Sequence, residues 1–200
     1  DADDRLPVAE IAARGRLRVR GAPAIGISAA YGVVLGMQQC PDSSPEQVME
    51  YLDGVVTYIA SSRPTAMNLF WALDRMKKVA KDYLGNCNEV SRTEIIDQLL
   101  SEAKGIEQED RQVCRRIGRH GATLLNQTSG VLTHCNAGAL ATVGYGTALG
   151  VIRATKDSGK SVKVIATETR PVQQGSRLTA FELKHDGIDV SLIPDTAVGY

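Results

Sequence analysis

The rhythm of apolar residues changes near residue 128, and this change constrains the fold more than any other feature of the chain. Beyond it, three short β-like runs alternate with two segments of helical length and pattern. The runs are 130–135, 161–168 and 188–195, and the segments are 138–155 and 175–187. Strand, helix, strand, helix, strand is the pattern of a parallel sheet with right-handed crossover connections. We therefore expect an α/β fold in which residues 128–200 form a parallel-sheet domain.

Glycine is frequent in the first crossover segment, at Gly144, Gly146 and Gly150. Glycine has a low helix propensity, so propensity alone argues against a helix in this segment. The apolar pattern still favours a helix, and we expect the glycines to allow close packing against the sheet.

Residues 1–127 show helical periodicity instead, and we expect them to form an all-helical N-terminal domain. Apolar residues fall on one stripe in 45–62 and again in 64–84, and 91–125 has the pattern of one or two further helices. Pro45 suits the first helical position, where the missing N–H would have no partner in any case.

Composition argues against several classes of protein. The 200 residues carry 23 basic and 23 acidic side chains, so nothing indicates the basic surface that nucleic acid requires. No apolar run reaches the roughly 18–20 residues of a membrane span, and the acidic start of the chain is unlike a secretory signal. The four cysteines form no C-x-x-C pair, which argues against a zinc site or a disulfide scaffold. We expect a reduced, cytoplasmic protein that binds neither nucleic acid nor membrane.

Cys135 is the strongest candidate for chemistry, because it lies where the first strand should end and a helix should begin. Ligands gather at the carboxyl ends of parallel strands, and a helix N-terminus favours a thiolate. A cysteine in that place can act as an acid, a base or a nucleophile. The alternative is a small buried cysteine that fills space at a tight turn, and position alone leaves both interpretations open.

Two further loops are expected at the same edge of the sheet. Residues 167–177 hold two arginines, two adjacent glutamines and a glycine, which suits a phosphate or sugar hydroxyls as well as an ordinary solvated loop. Asp195 follows the third run, where it either faces the same crevice as Cys135 or caps a helix. His134 adjoins Cys135, but neighbouring strand residues point to opposite faces, so we expect no Cys–His pair.

Two arginines stand just before proline-started helices in the N-terminal part. Arg20 and Gly21 precede Pro23, and Arg63 precedes Pro64. Exposed backbone N–H groups at a helix start, together with an arginine, are a favourable arrangement for holding a phosphate. Both segments are also compatible with ordinary helix starts that carry exposed arginines.

Five stretches, taken together and in this order, resemble the methylthioribose-1-phosphate isomerase family. They are VRGAPAIG, SSRPTAMNLFWALDRM, THCNAGALATVGYGTALGVIR, ETRPVQQGSRLTAFEL and DGIDVSLIPD. The resemblance covers nearly the whole chain from residue 18 onward. Regulatory subunits of the translation-initiation exchange factor and ribose-1,5-bisphosphate isomerase share the fold. The intact RGAPAIG, THCNAG and QGSRLTA segments favour the methylthioribose enzyme over both.

The resemblance implies a helical N-terminal domain joined to a Rossmann-like domain, in a homodimer. It implies an aldose–ketose isomerase of methionine salvage that converts 5-methylthioribose 1-phosphate to 5-methylthioribulose 1-phosphate. The implied chemistry is acid–base catalysis assisted by the cysteine, or a hydride shift, with no metal and no nucleotide cofactor. Matched residue by residue, Cys135 is the catalytic cysteine. The substrate-binding residues implied in the same way are Arg20, Gly21, Ala22, Arg63 and Gln174.

Part of the family pattern does not occur in these 200 residues. The family's catalytic aspartate lies in a GADR-type segment, an NK substrate-binding pair lies further on, and Asp195 occupies a different segment. We therefore expect a truncated form, with domains at 1–127 and 128–200, the second being only the first part of the Rossmann-like domain. Two alternatives remain open. One is a related regulatory or assembly subunit without catalysis, and the other is an isomerase of another pentose 1-phosphate, such as ribose 1,5-bisphosphate or 5-deoxyribose 1-phosphate.

Overall fold

The computed structural model describes residues 19–87, 90–125 and 130–200. It divides into two compact units, Asp1–Glu109 and Asp110–Tyr200, which we call the helical unit and the sheet unit. The division falls inside a long helix, earlier than the boundary at 127/128 that the sequence suggests. That boundary lies outside the described residues and stays a prediction.

The helical unit is built from α1 (Ala22–Met37), α2 (Pro45–Ala60), α3 (Met67–Leu84) and the first part of α4 (Arg92–Ala122). The first three helices pack against one another, because each presents an apolar stripe to a common core. Its largest fully buried side chains are Met37, Leu52, Ile59, Leu69, Leu73, Met76, Ile95, Leu99 and Ile106. The all-helical expectation for this part of the chain is confirmed, and 91–125 forms one helix rather than two.

Helix α2 begins where the sequence predicts. Pro45 is its first residue, and Ser44 and Gln47 form a capping box in which each side chain bonds the other residue's backbone N–H. Such reciprocal caps satisfy two of the N–H groups that every helix start leaves without a partner.

The sheet unit contains three parallel strands, β1 (Gly130–Thr133), β2 (Lys163–Thr167) and β3 (Val190–Ile193), in the order β1–β2–β3. Helix α5 (Ala148–Asp157) connects the first pair of strands, and α6 (Ala180–His185) connects the second. The predicted strand–helix alternation of the α/β fold is confirmed. A small apolar core joins helices and strands through Leu149, Ile152, Val162, Val164, Leu183 and Ile188.

The helix predicted over 138–155 is wrong in its first half. A short 3₁₀ turn at Ala139–Ala141 is followed by irregular backbone, and α5 begins only at Ala148. Gly144 and Gly146 have φ angles of 135° and 83°, which a right-handed helix does not contain. A Cβ on Gly146 would lie 2.7 Å from Gly138 Cα, so these glycines fold the segment back onto itself.

Gly150 does lie in α5, but it packs against helix α4 rather than against the sheet. A Cβ on Gly118 of α4 would lie 2.8 Å from the Gly150 carbonyl oxygen, so the two helix backbones approach closely at this pair. The expectation of glycine-mediated close packing therefore holds with a different partner.

Among the described residues, no helix combines the length and apolar character that crossing a membrane requires.

Candidate active site

Cys135 lies two residues beyond the end of β1 and adopts the left-handed backbone conformation, with φ of 63°. Its N–H donates to Thr169 Oγ1 at 2.8 Å, and its carbonyl oxygen accepts from Thr179 Oγ1 at 2.5 Å. A left-handed conformation costs a residue other than glycine on the order of 1–3 kcal/mol, and such residues cluster at functional sites. Both peptide groups of Cys135 are thus held by buried threonines in a conformation that the chain would not adopt unaided.

The Cys135 side chain is half-buried, whereas Cys40 and Cys114 are buried. Cys135 is therefore less enclosed than these two cysteines, and its functional interpretation stays a prediction. One part of the functional interpretation fails, since no α-helix begins beside the thiol. The residues that follow form an irregular loop, for the reason given above for Gly144 and Gly146.

The loop after β2 contributes Gln174, which is half-buried and precedes a π turn at Gly175–Thr179 that leads into α6. Gly175 has no room for a side chain, because a Cβ would overlap the carbonyl oxygen of Thr167 and lie 2.9 Å from Thr169 Oγ1. The turn therefore packs directly against the end of β2. Wide helical turns of this kind are often found at functional sites.

Asp195 anchors a neighbouring loop and does not cap its own short helix. Its Oδ1 accepts from Thr169 N at 2.8 Å and its Oδ2 accepts from Arg170 N at 2.7 Å. The hydrogen bond from Arg170 N is the largest effect and lowers the pKa of Asp195; burial opposes it, and the hydrogen bond from Thr169 N lowers the pKa further. Asp195, which follows β3, thereby holds the loop that follows β2. Thr169 of that loop in turn accepts the hydrogen bond from Cys135 N.

His134 makes its contact with β2 and not with its neighbour Cys135, as the strand geometry predicts. Its Nδ1 lies 2.6 Å from Thr167 Oγ1, and that hydroxyl lies 3.3 Å from Thr169 Oγ1. Threonine hydroxyls therefore line the edge of the sheet where the candidate cysteine is located.

Three further side chains of this region have no counterpart in the sequence interpretation. Thr179 and Glu182 are buried, with 0% and 5% of their surface exposed, and Arg153 pairs with Glu182 at 2.9 Å. An acidic residue inside the apolar segment LTAFEL is the signal that was available, because a buried carboxylate requires partners.

In the helical unit, Arg20 and Gly21 precede α1, whose first two residues are Ala22 and Pro23. Gly21 has a φ angle of 93°, and its carbonyl oxygen accepts the first helical hydrogen bond, from Ile25 N at 2.9 Å. Arg20 and Ala22 are exposed. The predicted start of a helix at Pro23 is confirmed, and phosphate binding by this segment stays a prediction.

Arg63 is half-buried and lies in a turn, where its carbonyl oxygen accepts from Ala66 N at 3.0 Å. The prediction that Pro64 opens the next helix is wrong. The turn uses Pro64 as an inner residue, and α3 begins at Met67. A Cβ on Gly26 of α1 would lie 2.7 Å from Asn68 O, so the first turns of α1 and α3 are in direct contact.

The sequence-predicted residues therefore form two groups, one in each unit. Arg20, Gly21, Ala22 and Arg63 belong to the helical unit, and Cys135 and Gln174 belong to the sheet unit. Within the described ranges, no three histidine, cysteine or acidic side chains are grouped as a metal site requires.

Comparison with known proteins matches the stretch from residue 18 onward, over which the sequence resemblance was found. A sequence family described as the initiation factor 2 subunit family matches residues 18–200. The chain is 53% identical to the methylthioribose-1-phosphate isomerase of Geobacter metallireducens, over 98% of this chain and 55% of that protein. It is 51% identical to the 5-deoxyribose 1-phosphate isomerase of Bacillus thuringiensis serovar kurstaki, over 90% and 50%. The chain thus spans about half the length of the curated relatives it matches.

Two solved structures superpose on nearly the whole chain. The 5-methylthioribose 1-phosphate isomerase of Pyrococcus horikoshii superposes with a TM-score of 0.85 at 40% identity, over 96% of this chain and 52% of that one. The delta subunit of translation initiation factor eIF-2B from A. fulgidus superposes with a TM-score of 0.82 at 44% identity, over 96% and 55%.

Proposed function

The chain belongs to the initiation factor 2 subunit family, and we propose that the protein is an aldose–ketose isomerase acting on 5-methylthioribose 1-phosphate. The product is 5-methylthioribulose 1-phosphate, in methionine salvage. The observation that carries the proposal is Cys135, a half-buried thiol held in a left-handed conformation at the carboxyl ends of parallel strands. Several curated relatives more than 50% identical to the chain carry the name of this activity.

The reaction needs no external oxidant or reductant, because C1 is reduced while C2 of the same sugar is oxidised. Phosphate on the anomeric oxygen prevents spontaneous ring opening, so the enzyme has to open the ring before hydrogen moves between C1 and C2. We assign Cys135 to proton transfer in this sequence, either through an enediol-like species or in support of a hydride shift. A positioned acid or base contributes about 10²–10⁴-fold to such a step.

The remaining predicted residues are assigned to substrate binding. The start of α1, with Arg20, Gly21 and Ala22, offers backbone N–H donors and a positive charge to a phosphate. Arg63 supplies a second guanidinium from the turn before α3, and Gln174 suits sugar hydroxyls. We further propose that the protein acts as a homodimer in the cytoplasm, without metal or nucleotide cofactor and without binding nucleic acid.

A second candidate substrate is 5-deoxyribose 1-phosphate, and it is favoured by the name of a relative that is 51% identical. The two sugars differ only in what C5 carries, since the methylthio group is absent from the deoxy sugar. The chemistry at C1 and C2 is the same, so the assignments above serve either substrate.

The test is the replacement of Cys135 by alanine in the full-length protein, with Cys87→Ala as the matched control. Cys87 is a half-buried free cysteine in the helical unit. We expect Cys135→Ala to lower kcat by about 10²–10⁴-fold with little change in KM, and Cys87→Ala to leave both unchanged. Comparing kcat/KM for the two sugar phosphates and ribose 1,5-bisphosphate identifies the substrate.

Full activity of Cys135→Ala would refute the assignment of the cysteine. No turnover of any sugar phosphate by the unmodified protein, together with stable hetero-oligomers, would instead favour a regulatory subunit.

A further inference from the structure

A buried carboxylate lies directly behind the loop that carries Cys135. Glu182 Oε2 accepts from Ala139 N at 2.7 Å, and its Oε1 accepts from Asn136 Nδ2 at 2.9 Å and from Leu140 N at 3.4 Å. Arg153 Nη2 donates to the same carboxylate at 2.9 Å. Three of the four donors that Glu182 receives therefore come from the loop, and only one comes from the cation that balances its charge.

The loop and the carboxylate are in tight contact as well as hydrogen-bonded. A Cβ on Gly138 would overlap the carboxyl group of Glu182, so the loop backbone lies directly on the oxygens at this point. Only glycine allows a backbone to approach another group this closely. The position of the loop is thus set by Glu182 and cannot shift without losing all three of its bonds.

Thr179 holds the loop from the same side of the helix. It lies three residues before Glu182, a spacing that places both side chains on one face. Its hydroxyl donates to the Cys135 carbonyl oxygen at 2.5 Å, and it lies 3.2 Å from Asn136 Nδ2. The carbonyl group of Cys135 and the side-chain amide of Asn136 are therefore held by two buried side chains of one helical segment. We call Thr179, Glu182 and Arg153 the carboxylate clamp.

Stability alone does not account for this arrangement. Arg153 has a second carboxylate, that of Asp186, whose Oδ2 accepts from Arg153 Nε at 2.7 Å. Replacing both members of a buried ion pair by apolar residues is often neutral or stabilising, so the pairing with Arg153 does not by itself require a carboxylate at position 182. What an apolar side chain cannot supply is an acceptor for the N–H groups of the cysteine loop.

We propose that the carboxylate clamp positions Cys135 for catalysis, with Glu182 and Thr179 as positioning residues that never touch the substrate. The inference rests on the proposed function, in which Cys135 transfers a proton. The clamp fixes the loop, the loop keeps Cys135 in its left-handed conformation, and that conformation determines where the thiol lies. Arg153 completes the clamp by donating from Nη2 to Glu182 Oε2 at 2.9 Å.

The test uses two nearly isosteric variants of the full-length protein, Glu182→Gln and Thr179→Val. Glutamine offers one accepting oxygen and presents an NH₂ group to the loop, and valine removes the hydroxyl. We expect each variant to lower kcat by about 10- to 100-fold, since displacing a catalytic group by about 1 Å has an effect of that size. KM should stay within about twofold, because neither residue contacts the sugar.

The matched control is Asp186→Asn. It alters a partner of the same Arg153 but touches no residue of the loop, so we expect kcat to be unchanged. A second readout does not depend on activity. The rate at which iodoacetamide alkylates Cys135, followed by mass mapping of the peptide, should rise several-fold in Glu182→Gln and Thr179→Val and stay unchanged in Asp186→Asn.

The outcomes separate the two proposals. If both clamp variants fold and retain the kcat and the Cys135 alkylation rate of the unmodified protein, positioning by the clamp is refuted. If alkylation responds as expected while the unmodified protein isomerises no sugar phosphate, the clamp is supported and the proposed function fails. If Glu182→Gln does not fold, Thr179→Val decides, because valine preserves the shape of a buried threonine.

Discussion

The helical unit and the sheet unit are each stabilised internally by a different kind of interaction. The helical unit has a broad apolar core, whereas that of the sheet unit is small. Within the described parts of the chain, the buried polar side chains all belong to the sheet unit. They are Thr133, Thr155, Thr167, Thr169, Thr179 and Glu182. The helical unit is therefore specified mainly by apolar shape, and the loop end of the sheet unit by hydrogen bonds.

The difference follows from how each unit satisfies its backbone. A helix pairs its own N–H and C=O groups, so its neighbours need only fit an apolar surface. Loops that follow parallel strands leave such groups without regular partners, and side chains must supply them. Among the described residues, those other than glycine with positive φ are Cys135, Thr169 and Gln173. All three lie in these loops, where strain and polar restraint occur together.

The largest contrast is expected from adding one methyl group to a glycine in each unit. In Gly175→Ala the new Cβ overlaps the Thr167 carbonyl oxygen, so backbone has to move, and we expect a loss of about 4 kcal/mol or more. In Gly54→Ala, on the exposed side of α2, nothing lies within 4 Å, and alanine should stabilise the helix by about 0.5–1 kcal/mol. Urea unfolding of the two full-length variants measures both values, and effects of the same sign would invalidate the contrast.

A smaller loss is expected from a cavity in the apolar core. Leu99 is fully buried in the helical unit, and Leu99→Ala should lower the free energy of unfolding by about 3 kcal/mol. Leu100→Ala is the control, because Leu100 is only partly buried against the same core, and it should cost clearly less. Equal losses would mean that burial in the core does not set stability in this unit.

The sequence predicted the elements that are specified by apolar burial better than the loops that are held by hydrogen bonds. The helices and the three strands were predictable, because apolar periodicity reports directly on which face is buried. The error in the glycine-rich segment before α5 arose because the apolar pattern was given more weight than the low helix propensity of glycine, which the backbone follows at Gly144 and Gly146. At Pro64, a turn closed by the bond from Ala66 N to the Arg63 carbonyl oxygen delays the start of the helix to Met67. The sequence analysis missed the carboxylate clamp, because a glutamate in a helix usually faces solvent even within an apolar segment, and the partners of Glu182 lie more than 25 residues away in sequence. Cys135 could be proposed as a candidate because its type and its place at a strand end are both visible in the sequence.

The smallest effect concerns two carboxylates, one in each unit, whose pKa values are both lowered. Hydrogen bonds from the backbone N–H groups of Arg170 and Thr169 lower the pKa of Asp195. In the helical unit, the hydrogen bond with Arg75 lowers that of Glu109. A folded-state pKa below the unfolded value gives stability that is present above the unfolded pKa and is lost as pH falls through the folded one. Both carboxylates should therefore stabilise the protein at pH 7, and their contribution should begin to decline below about pH 4, the unfolded value, and be lost as pH falls through the lower folded pKa.

Salt distinguishes the two carboxylates. Glu109 is exposed, so its attraction to Arg75 should weaken at high ionic strength. The hydrogen bonds that Asp195 accepts from backbone N–H groups should depend far less on screening. We expect Asp195→Asn to lower the melting temperature at pH 7 in both low and high salt, and the difference from the unmodified protein to shrink as pH falls below about 4. Glu109→Gln should lower the melting temperature at pH 7 only in low salt. A salt-sensitive effect of Asp195→Asn would show that its carboxylate acts through long-range charge, and the loop end of the sheet unit would then owe less to fixed hydrogen bonds than its geometry indicates.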